Sequence, residues 1–116
     1  GDFIYLAEER LNIIKNSIDR IEKNKPDGKL SDGIAYSLIL RLRTLYMIDC
    51  LKSNRQYNKN EFIKLIIKIS GSLTAYNRYV YAKDHKENKR ELLLIEGKKL
   101  YEYTKDYLQK IKKAVR

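Results

Sequence analysis

The chain has 116 residues and a formal net charge of +10, with 43% hydrophobic and 34% charged residues. This length allows one domain with a modest core, and the composition is that of a globular protein with a well-solvated surface. One proline and five glycines are too few turn residues for an all-β fold of this length, and no apolar run approaches the ~18 residues of a membrane span.

The first predicted helix carries a single apolar stripe. Its apolar positions recur every three or four residues, as Phe3, Ala7, Leu11, Ile14, Ile18 and Ile21. The stripe stops at residues 24–28, where Pro26 cannot continue a helix and Gly28 tolerates a left-handed turn. This segment is therefore the clearest predicted loop.

The second predicted helix begins at Ser31 or Asp32, because either side chain can cap the first free amides of a helix. It continues through Leu38 and Leu45 to about Ile48 and is apolar on more than one side. A helix with that pattern is usually covered on more than one side. We therefore predict that it is the most buried helix or that it lines a dimer contact.

The third and fourth helices follow two polar connections. Asn58 and Glu61 resemble a capping box, and the apolar register then continues through Gly71. One long helix to about Tyr81 is the simplest prediction, although a glycine inside it costs about 1 kcal/mol and permits a break. A last stripe from Leu93 to Ala114 has Gly97 on its apolar face, which predicts a close backbone approach.

Four amphipathic helices joined by short connections predict an all-α fold, an antiparallel up-down four-helix bundle in one domain over residues 1–116. The Pro-Gly loop and the polar breaks divide the stripes too often for a coiled-coil rod. The start lacks the basic and apolar regions of a signal peptide, and Cys50 is the only cysteine. These features predict a cytoplasmic protein without a disulfide.

One Arg and the only His are spaced for phosphate chemistry. Arg78 and His85 are seven residues apart, so on a continuous helix they lie two turns apart on nearly the same face. Arg can hold a phosphate with two hydrogen bonds and His can move a proton, which is adequate for metal-free RNA cleavage. A solvated His and a structural Arg are the alternative interpretation, since this motif has low specificity.

The order and spacing of four segments resemble the HEPN superfamily (higher eukaryotes and prokaryotes nucleotide-binding domains). The likeness covers nearly the whole chain. The segments are residues 7–11, the second helix with Ala35 and Leu38, the Arg78-Tyr79 pair before a polar loop, and the closing helix from Glu91 through Leu108.

The resemblance implies a four-helix bundle that dimerises, often beside a minimal nucleotidyltransferase in toxin–antitoxin-like pairs. Ribonuclease members of the family carry an Arg-x4-6-His motif near the end of the third helix, which Arg78 and His85 fit at the longest spacing. Those members usually have Asn, Asp or His directly after the Arg. Tyr79 departs from that pattern and is more similar to the non-catalytic, nucleotidyltransferase-associated branch.

Several further residues are candidates for binding or packing. The predicted anion- or nucleic-acid-binding residues are Arg78, Tyr79, Lys83 and Lys86, because cations beside aromatic rings hold single strands. Tyr103 and Tyr107 are assigned to packing or a dimer face. Asp49 is expected to pair with Arg78 or Arg43 as a buried ion pair. The carboxylates do not cluster with the His, so no metal site and no cofactor is predicted.

Three hypotheses about function follow. The first is a HEPN-like module that forms a homodimer and binds a nucleotidyltransferase-type partner or the phosphates of nucleotides or RNA. The second is a metal-independent endoribonuclease in which Arg78 stabilises the transition state and His85 is the general acid/base. The third is a purely structural bundle with a basic surface. A membrane partner is not predicted.

Overall fold

The chain is mostly helical, and its helices follow the apolar stripes of the sequence. The computed structural model describes residues 2–25, 27–85 and 89–114. The elements in chain order are α1 (Asp2–Asn24), β1 (Lys29–Ser31), α2 (Asp32–Lys52), α3 (Lys59–Ser70), α4 (Thr74–His85), β2 (Arg90–Leu93) and α5 (Leu94–Ala114). None of the helices in these ranges combines the length and the apolarity that crossing a bilayer requires.

The stripe predicted for the first helix is the buried face of α1. Ala7, Leu11, Ile14 and Ile18 are each no more than 3% exposed. This face packs mainly against α5 and to a smaller extent against α2. The predicted loop after α1 is confirmed for the residues described there, while Pro26 lies outside them.

α2 lies at the centre of the molecule and contacts α4, α5 and α1. Ser31 is its N-cap, with the side-chain oxygen 3.4 Å from the amide nitrogen of Ile34, so the predicted start is confirmed. Leu38, Leu42 and Leu45 are fully buried. Apolar side chains on the opposite side of the helix, such as that of Leu40, are only half-buried.

The third predicted helix is two helices in the structure. α3 ends at Ser70, and Gly71 follows in the left-handed region (φ 90°), with its amide donating to the Ile67 carbonyl at 2.7 Å. α4 then starts a new register, in which Ala75 and Tyr79 are buried and Leu73 is 42% exposed. The residues described here therefore form five helices instead of the predicted four.

A short β-ribbon, which the sequence did not indicate, closes one end of the molecule. β1 and β2 pair antiparallel, with Leu30 opposite Leu92 and Ser31 opposite Arg90, and a bulge interrupts the register between Leu30 and Ser31. Leu30 and Leu92 are both fully buried, so one face of the ribbon belongs to the core. The opposite face carries Lys29 and Ser31, because successive side chains of a strand alternate.

Gly97 permits the contact between this ribbon and α5. A Cβ added at Gly97 would overlap Cδ1 of Leu30. The close approach at this glycine is therefore made by a side chain of β1, that of Leu30, and not by the backbone as predicted.

Candidate functional site

Arg78 lies on α4 and joins three elements. Its guanidinium Nη1 is 3.3 Å from Oε2 of Glu91 on β2 and 3.8 Å from Oδ2 of Asp32 at the start of α2. The side chain is only 15% exposed, and its Cζ lies 4.7 Å from the centre of the Tyr81 ring. Nη1 makes no hydrogen bond of good geometry, so the attraction between these groups is mainly electrostatic. Arg78 thus has two carboxylate partners within the chain.

Asp32, which the sequence suggested only as a helix cap, is the buried half of this cluster. Its side chain is 0% exposed. Its backbone amide donates to the Lys89 carbonyl at 2.6 Å, and the Lys89 amide donates to Oδ2 at 3.3 Å. Oδ1 has no hydrogen-bond partner. A carboxylate in the first turn of a helix is also favoured by the helix dipole.

Asp49 is not the partner of Arg78 or Arg43 that the sequence suggested. Its Oδ2 accepts a hydrogen bond from the Tyr107 hydroxyl at 2.8 Å and lies 3.3 Å from Nη2 of Arg55. Burial, followed by this hydrogen bond to the Asp49 carboxylate, raises the pKa of Tyr107 above its ordinary value. Asp49 therefore connects α2 to α5.

Tyr79 belongs to the core. Only 7% of it is exposed, and its ring stacks on Tyr36 with centroids 5.3 Å apart and planes 18° apart. Tyr76 packs against the same ring at 6.0 Å. Burial raises the pKa of the Tyr79 hydroxyl. The ring predicted to stack on a base is thus already covered by another tyrosine.

Lys83 lines a small concavity with tyrosines and two further cations. We call it the basic–tyrosine cleft, a space of about 320 Å³ bounded by Arg43, Tyr57, Lys59, Phe62, Tyr76, Tyr79, Val80, Lys83 and Asp84. Arg43 extends over the Tyr57 ring, with Cζ 5.3 Å from its centre. Arg43 and Lys59 were not among the predicted binding residues, because they come from two other helices. The cleft combines three cations with one carboxylate.

The predicted site residues therefore divide between two sides of α4. Arg78 faces Asp32 and Glu91, whereas Lys83 faces Arg43 and Lys59. α4 is continuous to His85, so Arg78 and His85 begin on nearly the same helix face. The His85 side chain and all of Lys86 lie outside the described residues.

The described ranges show no candidate metal site. They contain no group of three or more His, Cys, Asp or Glu side chains arranged to hold an ion, and Cys50 is buried. Comparison with protein-family models, curated proteins and solved structures finds no significant match to this chain. The geometry of its own residues is thus the basis for assigning a function.

Proposed function

We propose that the chain is a HEPN-like helical module that dimerises and binds a nucleotidyltransferase-type partner or the phosphates of nucleotides or nucleic acid. In this proposal α3 and α4 together take the place of the third helix of an antiparallel four-helix bundle. The outer side of α2, with half-buried Leu40 and Ile48 and Leu51 at 79% exposure, supports association with a partner protein.

The observation that favours binding over catalysis is the environment of Arg78. Its guanidinium already lies between Asp32 and Glu91. A phosphate arriving there would be repelled by both carboxylates unless they moved away. Arg78 therefore suits a structural role better than the transition-state role that the endoribonuclease hypothesis requires.

The basic–tyrosine cleft is the part of the molecule that best fits a nucleotide. Arg43, Lys59 and Lys83 form no ion pair among the described residues, and together they outnumber Asp84, the one described carboxylate that lines the cleft. Its volume of about 320 Å³ is at the small end of the range for ligand pockets. One nucleotide, with its phosphates on the cations and its base against Tyr57 or Tyr76, is the occupant we assign to it.

ATP binding measured by calorimetry tests this assignment. Lys59→Gln with Lys83→Gln should weaken binding about tenfold or more, which corresponds to about 1.4 kcal/mol. Lys110→Gln with Lys113→Gln removes the same charge from exposed positions in the last turns of α5 and should leave the affinity almost unchanged. Equal losses in the two double variants would contradict a localised site.

The dimer is supported by a groove between α3 and α5, which we call the α3–α5 groove. It encloses about 640 Å³ and includes Leu65, Ile69, Ile95 and Tyr103, of which Ile95 is 61% and Tyr103 40% exposed. Such exposed apolar side chains in one groove are typical of a surface that is covered by a partner.

Charges along the α3–α5 groove indicate a second copy of the chain as that partner. Lys98 and Lys99 lie toward the start of α5, and Glu102 and Asp106 lie further along it. Positions 95, 99, 102 and 106 share one helix face. Two antiparallel copies of α5 related by a twofold axis would place Lys99 opposite Glu102 of the other copy, twice per interface.

A charge exchange tests this dimer by sedimentation equilibrium. Lys99→Glu should weaken self-association about tenfold or more, because it places like charges opposite each other. Adding Glu102→Lys to the same chain should restore it, since both pairs regain opposite charges. Lys110→Glu on the same helix is the control. A double variant as monomeric as Lys99→Glu alone would contradict the arrangement.

Cleavage of labelled RNA in EDTA distinguishes this module from the endoribonuclease. We expect no cleavage by the wild-type protein at high concentration. Metal-independent cleavage that disappears in both Arg78→Ala and His85→Ala would establish the enzyme and contradict the proposal.

A further inference from the structure

A second basic cleft lies at the other side of the β-ribbon, between the end of α1 and the ribbon. We call it the α1–ribbon cleft. It encloses about 570 Å³, and its four cations are Arg20, Lys25, Lys29 and Arg90. All four are exposed, and none has an ion-pair partner among the described residues. No carboxylate from the described residues lines it.

Most of the described acids near this cleft are already paired with cations outside it. Three of them on α1 and β2 have a cation of their own, so they do not neutralise the cleft. These pairs are Asp19 with Lys15, Glu22 with Lys98, and Glu91 with Arg78. Asp27, in the turn after α1, is exposed and does not line the cleft. The four positive charges are thus left for an outside ligand.

The cations stand on two opposing walls. Arg20 lies in the last turns of α1, and Lys25 is the first residue after this helix. Asn24 lies one helical turn beyond Arg20 and lines the same cleft. Lys29 lies on β1, and Arg90 lies on β2 opposite Ser31. Lys29 is turned away from the core because it alternates with the buried Leu30. Arg90 is exposed beside the bulge that follows Leu30 and lines the same cleft.

A close turn keeps the two walls together. The Lys25 amide donates to the Ile21 carbonyl and the Gly28 amide donates to the Lys25 carbonyl, both at 2.7 Å. A Cβ added at Gly28 would come within 2.8 Å of Ile21 Cγ2 and of the Lys25 carbonyl oxygen. Only a glycine fits there without displacing the turn, and this close turn places β1 directly beside the end of α1.

We propose that the α1–ribbon cleft binds the sugar–phosphate backbone of single-stranded nucleic acid without reading its sequence. Cations on both walls suit a chain that carries one negative charge per nucleotide. Ser17, Asn24 and Ser31 add hydroxyl and amide groups of the kind that contact phosphate and sugar. None of the described residues that line the cleft is aromatic, so they offer no platform for base stacking.

An acidic peptide fits this cleft less well. Protein partners are usually held by apolar or aromatic groups inserted into well-packed pockets. Among the described residues that line this cleft, the apolar side chains are those of Ile21 and Ile34. A phosphate backbone needs no such pocket, because electrostatic contacts to phosphates supply most of its non-specific affinity.

This inference rests on the proposed function for its phosphate chemistry, but it uses a different set of residues. The test is binding of a labelled single-stranded RNA, followed by fluorescence anisotropy between about 50 and 200 mM salt. Arg20→Gln with Arg90→Gln removes one cation from each wall. Lys59→Gln with Lys83→Gln reports on the basic–tyrosine cleft, and Lys110→Gln with Lys113→Gln is the charge-matched control.

The Arg20/Arg90 variant should lose about 1.4 from the slope of log affinity against log salt, because each single-strand phosphate contact contributes about 0.7. At 0.1 M salt this corresponds to about 25-fold weaker binding. The control variant should change neither quantity by a comparable amount. Urea unfolding of each variant verifies that the fold is retained.

The remaining outcomes each overturn the inference. If the Arg20/Arg90 variant bound RNA as well as the control, the inference would be overturned. The basic–tyrosine cleft, and with it the proposed function, would not be affected by that result. No RNA binding by the wild-type protein would also overturn it, and ATP binding and dimerisation would then be judged separately. Binding of an acidic peptide or of anionic vesicles, but not of RNA, would assign the cleft to another ligand.

Discussion

Replacing Arg78 by Ala tests whether this arginine holds the fold together or is available to a ligand. In the wild-type protein its guanidinium is 3.8 Å from the fully buried carboxylate of Asp32. The substitution removes that cation and leaves the Asp32 charge inside the protein. We therefore expect a large loss of stability.

The magnitude follows from the two carboxylates separately. At 3.8 Å and an effective dielectric constant of about 20, the Arg78–Asp32 attraction is about 4 kcal/mol before the cost of desolvation. Removing one partner of a buried pair typically costs about 3–5 kcal/mol. The Lys89 amide and the start of α2 still stabilise Asp32, so we expect the free energy of unfolding to fall by about 3 kcal/mol. Glu91 is 53% exposed, so its share is below about 1 kcal/mol.

Urea unfolding and thermal melting measure this loss. For a chain of this length, about 3 kcal/mol corresponds to a melting temperature about 12 °C lower. Glu91→Gln should cost less than about 1 kcal/mol. Arg43→Ala, which removes an arginine that lies over Tyr57, is the matched control and should cost about 1 kcal/mol or less. If Arg78→Ala were no more harmful than Arg43→Ala, the reasoning would be refuted and Arg78 would be free for a phosphate.

Two further predictions concern packing and pH. Gly97→Ala should destabilise the protein by about 1–2 kcal/mol in urea unfolding. The overlap of the added methyl group with the packed Leu30 side chain outweighs the better helix propensity of Ala. A neutral result would mean that Leu30 can move aside. Tyr107→Phe should cost about 1.5–2 kcal/mol at pH 7, because the hydrogen bond to the Asp49 carboxylate is lost. The raised pKa of Tyr107 means that its contribution is present below pH ~10, the value for an unfolded tyrosine, and is lost as the pH rises further. Above pH ~10 the free energy of unfolding should therefore fall by about 1.4 kcal/mol per pH unit more steeply in the wild type than in Tyr107→Phe, and equal slopes would contradict the raised pKa.

Local features of the fold were predictable because their causes are local. Ser31 and Asn58 cap the helices that they were expected to start, and the Asn58 side-chain oxygen accepts a hydrogen bond from the Glu61 amide at 3.0 Å. Gly97 was marked by its position on an apolar face, where any other residue would add a side chain. Each of these signals is contained within a few neighbouring residues.

The ribbon and the helix break depend on contacts that the sequence pattern does not show. β1 and β2 have only three and four residues, and their pairing joins segments about 60 positions apart. At Gly71 the apolar spacing continues in phase, so one continuous helix was predicted, whereas α4 starts a new register that buries Ala75 and Tyr79. A left-handed cap and an interior glycine have the same sequence signal when the register happens to continue.

The candidate site was predictable in its residue types but not in its partners. Arg78 was selected mainly for its spacing from His85 and Lys83 as a cation near tyrosines, and both lie on the same short helix. Which carboxylate each cation meets is decided by the packing of α2 and β2, and Asp32 was indistinguishable from an ordinary first-turn acid. Asp49, the partner expected from its position in an apolar helix, is engaged by Tyr107 and Arg55 instead.

The distribution of acids, more than the total charge, decides where this protein can hold a phosphate. A net charge of +10 attracts polyanions to the whole molecule, but at physiological salt that field falls off over about 8 Å and does not choose a site. Beside Arg78 a phosphate would be repelled by the carboxylates of Asp32 and Glu91, and the charge of the fully buried Asp32 is the less screened of the two. No such penalty arises in the α1–ribbon cleft, where none of the described carboxylates is present. The ion pairs of Arg78 thus make it a poor phosphate site, whereas the exposed cations of the α1–ribbon cleft support the nucleic-acid site proposed there.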